Sequence, residues 1–130
     1  MKEREGEGWR LAWDAQRDPF PLLIGGRDWA SELTAAEGHA LLKAMKALKE
    51  QHGILSSSLM EEESICLEFQ GDTEEPGSDL WVALEGDRQG WTLRFVLQSG
   101  PGRRGLEGEW SREAAAGFLQ VYSDLLNTEG

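Results

Sequence analysis

Between Asp79 and Gln98 the chain alternates twice. Leu80, Val82 and Leu84 interleave with Trp81, Ala83 and Glu85; then, after a polar loop bounded by Gly86 and Gly90, Trp91, Leu93, Phe95 and Leu97 interleave with Thr92, Arg94, Val96 and Gln98. Successive side chains of an extended chain point to opposite faces, so both runs carry one apolar face. Joined by a short loop, they predict an antiparallel hairpin. That hairpin leaves a greasy surface that another layer of the same domain must cover.

The same period recurs elsewhere. Trp9, Leu11 and Trp13 alternate with Arg10, Ala12 and Asp14, and Ile65, Leu67 and Phe69 alternate with Cys66, Glu68 and Gln70. Leu22 to Ile24 and Trp29 to Leu33 flank Gly25-Gly26-Arg27-Asp28, which reads as a second hairpin. Asp18-Pro19-Phe20-Pro21 is a bend, because proline cannot donate to an interior ladder. Leu106 to Trp110 adds a short edge strand, and residues 1–7, without an apolar face, are expected to fray.

Two stretches switch to helical spacing. Thr34 followed by Glu37 is a capping box, after which Leu41, Leu42, Met45, Leu48 and His52 share one arc, with His39, Lys43, Lys46 and Glu50 opposite. Lys46 and Glu50 are spaced for a weak ion pair, and Gly53 is the expected stop. Ser111 is a good N-cap, and Ala115, Phe118, Leu119, Tyr122, Leu125 and Leu126 form the stripe of a second helix. Strands then helix, twice over, predicts an α+β fold: a curved antiparallel sheet of roughly six or seven strands with two packed helices, in ββββα-type halves.

At 130 residues a single domain is expected, and one cysteine, Cys66, leaves no internal disulfide framework. The charged opening is no secretory signal and no apolar run approaches the roughly 20 residues of a membrane span. These features point to a cytoplasmic protein. The net charge of −11 is uneven: Glu50 to Asp87 holds eleven acids and no Lys or Arg, leaving thirteen acids against thirteen bases elsewhere. A locally basic surface is therefore open to the rest of the chain, whereas the acidic segment reads as a solvated flank or a dock for a basic partner.

No catalytic constellation emerges, and no cofactor is expected. His39 lies on the outward helix face, His52 near a helix end, and Cys66 in mid-strand, where a small buried hydrophobe is the ordinary role. Glu61-Glu62-Glu63 cannot converge on one cation if extended. The Gly100 to Gly105 loop lacks the ending of a phosphate-binding loop, but its Arg103 and Arg104 could meet an anion. Trp81 lies opposite Leu80, Val82 and Leu84, on a face expected to carry Arg10 and Arg94 as well. An indole among arginines is the composition that stacks single-stranded bases while pairing phosphates; the alternative is that the first helix or the edge loops cover this face and Trp81 is simply buried. Arg10, Trp81, Arg94, Arg103 and Arg104 are thus the candidate contacts for single-stranded nucleic acid. The rival is a protein-protein module that docks a basic partner through the acidic segment, with the sheet surface available for a homodimer.

Several stretches together resemble a known family. Glu7-Gly8-Trp9-Arg10-Leu11-Ala12-Trp13-Asp14, Phe20-Pro21-Leu22-Leu23-Ile24-Gly25-Gly26-Arg27-Asp28-Trp29-Ala30, Glu32-Leu33-Thr34, Leu93-Arg94-Phe95, Arg103-Arg104-Gly105, Gly108 and Trp110 look like the small cyanobacterial proteins of domain of unknown function 1818. The resemblance implies a fold grouped with the single-stranded-DNA-binding transcriptional regulators, the class of the Whirly proteins and the positive-cofactor-four domain. It implies no established activity.

Overall fold

Residues 1–73, 77–99 and 104–129 are described by a computed structural model. Their order is β1 (Lys2–Gly6), β2 (Trp9–Trp13), β3 (Leu22–Gly25), β4 (Ala30–Leu33), α1 (Ala35–Ser56), β5 (Ile65–Gly71), β6 (Asp79–Gly86), β7 (Trp91–Ser99), β8 (Arg104–Trp110) and α2 (Arg112–Glu129). The α+β class and the repeated strands-then-helix order hold. The single sheet of six or seven strands does not: among the described residues eight strands form two four-stranded sheets, β1-β2-β3-β4 and β5-β6-β7-β8. Alternation marks faces, but it carries no information about which strand edges meet.

The extra strand is β1. Its side chains are all exposed, yet it pairs antiparallel with β2 from Lys2↔Trp13 to Gly6↔Trp9. Main-chain ladder bonds need no apolar side chains, so a charged segment expected to fray becomes an edge strand. The hairpin of β6 and β7 has the register that alternation demands, Leu80↔Leu97, Val82↔Phe95 and Leu84↔Leu93. Next to it, Leu67 and Phe69 of β5 pair with Leu84 and Val82, while Leu106 of β8 pairs with Leu97.

The helices tie the two halves into one core. α1 packs chiefly on β5 and β6 of the second sheet, and α2 packs on β2 as well as β7. Leu11 and Ile24 from the first sheet therefore join Leu41, Met45, Val82, Phe95, Phe118 and Leu119 in a continuous buried cluster. Trp110 lies at its centre, stacked on Phe118 at 4.0 Å between ring centroids and edge-on to Trp29 at 5.0 Å. Two reciprocal bonds link the sheets: the Trp110 indole N–H donates to the Gly25 carbonyl at 3.0 Å, and that of Trp29 donates to the Glu109 carbonyl at 3.2 Å. Gly26 and Gly108 make space for the Trp29 ring, since a Cβ at either would fall 2.3 and 2.4 Å from it.

The capping box forms as expected, with Thr34 Oγ1 accepting from the Glu37 amide and Glu37 Oε1 accepting from the Thr34 amide. Gly53 does not end α1, which runs on to Ser56. Backbone hydrogen bonding carries the helix through a residue that only weakens it. A Cβ at Gly53 would meet nothing within 4 Å. Gly53→Ala is thus expected to raise stability by about 0.5–1 kcal/mol, read as a higher urea midpoint with unchanged slope. Neither helix is long and apolar enough to cross a membrane.

Candidate functional site

Alternation in β5 to β8 places a second set of side chains on the face away from the helices. Across the strands the rows run Cys66, Glu85, Thr92; Glu68, Ala83, Arg94, Glu109; and Gln70, Trp81, Val96, Glu107. Glu68, Glu85, Arg94, Glu107 and Glu109 are exposed, whereas Trp81, Thr92 and Val96 are half-buried. The guanidinium carbon of Arg94 lies 5.4 Å from the centre of the Trp81 ring, a cation–π arrangement. On the other side, the Trp81 indole N–H donates a long 3.4 Å bond to Glu68 Oε2. The indole is held between a cation and an anion, and the surrounding face is dominated by four glutamates. A neighbouring cleft of about 500 Å³ reaches from Glu85, Thr92, Arg94 and Glu109 to Arg27, Asp28 and Trp29 of the β3–β4 turn.

Of the four candidate contacts among the described residues, Trp81 and Arg94 come together here. Arg10 belongs to β2 in the other sheet, where its side chain crosses Gly25, so the expected common face of Arg10 with Arg94 does not exist. Arg104 starts β8 on the face of Leu106 and Trp110. Its guanidinium bonds both carboxylate oxygens of Glu37, at 2.9 and 3.2 Å, donates to the Glu32 carbonyl at 2.7 Å and stacks 4.4 Å from the centre of the Phe20 ring. It is a clamp joining both sheets to the start of α1, committed to a carboxylate rather than open to an anion. Arg103, with the rest of the Gly100 to Arg103 stretch, lies outside the described residues. Sequence spacing could not show Glu107 and Glu109 beside Arg94, because β8 reaches that face only through pairing with β7.

The other reactive side chains have ordinary surroundings. His39 is exposed on α1. His52 is buried and its Nε2–H donates to the Asp87 carbonyl at 2.7 Å, securing the β6–β7 turn. Cys66, expected to be a small buried hydrophobe, is exposed on edge strand β5, where the outward face has no covering layer. Among the described residues no cluster of His, Cys, Asp and Glu could hold a metal ion.

Asp87 also binds Arg112 through two bonds, at 2.6 and 3.0 Å. Arg112 stands in the first turn of α2, where the helix dipole disfavours a cation, and Asp87 offsets that. Bonds from Arg112, and then from the Gln89 amide, hold the Asp87 carboxyl well below its ordinary value of 3.8. A depressed folded-state value stabilises the fold above the ordinary pKa, and the contribution fades as pH falls toward the folded value. Carboxyl NMR is expected to show Asp87 still ionised where exposed aspartates have protonated, with its midpoint rising in Arg112→Ala.

A family model described as Domain of unknown function (DUF1818) matches residues 4–125. Among solved structures, the chain is similar to a crystal structure of a protein with unknown function from the DUF155 family of Prochlorococcus sp. NATL2A. The two share 35% sequence identity with a TM-score of 0.74, over 98% of this chain and 95% of that one. No protein with a curated description matches.

Proposed function

Because the chain belongs to the DUF1818 family, which is described only as a domain of unknown function, we propose from its geometry that it is a non-enzymatic binding module docking a basic protein partner on the open face of its second sheet. The observation that carries this reading is the Trp81–Arg94 pair set among Glu68, Glu85, Glu107 and Glu109 on a face away from both helices. A half-buried tryptophan is a typical interface anchor, and a ring of acids steers a cationic surface toward it.

A second reading, single-stranded nucleic acid, draws support from the same Trp81–Arg94 stack and from the fold class implied by the family resemblance. The glutamates weigh against it, since phosphates approaching Arg94 must pass a surface of their own sign. Affinity capture from nuclease-treated lysate separates the two readings. A basic partner should be retained by the wild type and lost with Trp81→Ala and with Glu68→Lys/Glu107→Lys. Saturable, salt-sensitive binding of labelled single-stranded DNA that disappears in Arg94→Ala would instead favour nucleic acid.

A further inference from the structure

The seam between the two helices carries lysines that the open sheet face lacks. Lys46, Lys49, Glu50 and Gly53 of α1 line a groove of about 620 Å³ with Leu119, Gln120 and Ser123 of α2. Lys43, Lys46 and Lys49 are all exposed, and none takes part in an ion pair among the described residues; the Lys46–Glu50 pair expected from spacing is not formed. In a chain of net charge −11, three lysines against the one carboxylate of Glu50 leave this strip with a local positive surplus.

Two further features bear on the groove. Gly53 sits inside a helix it weakens, yet nothing in the fold occupies the space where its Cβ would be. The missing side chain therefore opens the groove outward without serving internal packing. Beside it, Ile54, 69% exposed, is an apolar side chain lining the groove.

We infer that the groove between α1 and α2 docks an acidic amphipathic helix from a partner protein. Its apolar residues would lie over Ile54, its backbone would approach closely at Gly53, and its carboxylates would meet Lys46 and Lys49. The protein's overall negative field repels such a ligand elsewhere, so the lysines also select where it lands. A bilayer is the poorer occupant, because a recess offers a flat lipid surface less contact than it offers a helix. This site is separate from the acidic sheet face and takes a ligand of the opposite sign.

The test uses the full chain and a fluorescein-labelled peptide of about 18 residues, with leucines on one helical face and glutamates on the other. Fluorescence anisotropy should show saturable binding that weakens with salt and falls about tenfold or more in Gly53→Leu and in Lys46→Glu/Lys49→Glu. Trp81→Ala should bind the peptide as the wild type does. Equal binding by the Gly53→Leu variant, equal binding of a lysine-for-glutamate peptide, or capture of anionic phosphatidylserine vesicles without the peptide would each overturn the proposal. So would self-association in sedimentation that Gly53→Leu abolishes while the peptide fails to bind, since the groove would then seat a second copy.

Discussion

Trp110→Ala is expected to lower stability by about 3–5 kcal/mol, a large fraction of what a domain of this size has in total. Trp110 is 1% exposed and contacts Phe95, Phe118 and Trp29 through its rings. Its removal opens a cavity where the two sheets and α2 meet, and it leaves the Gly25 carbonyl without the indole N–H. Urea unfolding by circular dichroism measures the loss. Trp13 provides the control: it is also buried, but its indole N–H has no partner among the described residues. Trp13→Phe should therefore cost less than Trp110→Phe. Equal losses would show that the Trp110–Gly25 bond contributes nothing beyond ring packing.

The second large effect is expected at Arg104. Arg104→Ala leaves the Glu37 carboxylate, 0% exposed, with its capping bond from Thr34 but without its countercharge. Stranding a buried charge costs about 3–5 kcal/mol in general. The Arg104 side chain is 35% exposed, so water can partly replace it and the lower end of that range is expected here. The double variant Arg104→Met/Glu37→Gln should recover much of the loss, because neither partner then carries an unpaired charge. If Arg104 instead served an external anion, Arg104→Ala would unfold like the wild type and the double variant would show no recovery.

Both predictions concern long-range pairs, and they mark where sequence reading stops. The hairpin, the strands at Trp9 to Trp13 and Ile65 to Gln70, the Thr34–Glu37 capping box and the Phe118 to Leu126 stripe are local. Each is dictated by a period or a spacing within one segment, and each stands in the structure. The face assignment of Trp81 and Arg94 was legible for the same reason, since alternation within β6 and β7 settles it. Arg10 falls in the other sheet, because alternation says which side of a strand a residue occupies, not which sheet the strand joins. β1 carries no such signal, because ladder pairing leaves no trace in side-chain polarity.

Local sequence therefore fixes every element except β1, the faces of the strands, the α+β class and the uneven charge. Packing of the whole chain divides the eight strands among the described residues into two sheets, binds Arg104 to Glu37 and Glu32 rather than displaying it, and sets Glu107 and Glu109 beside Arg94. It also sets Lys46, Lys49 and Gly53 against Leu119 across a groove. Backbone geometry and solvent partition act on neighbours a few residues apart and imprint a period on the chain. Contacts such as Arg104 with Glu37 and Trp110 with Gly25 join residues far apart in sequence, and they come into being only once the core has formed.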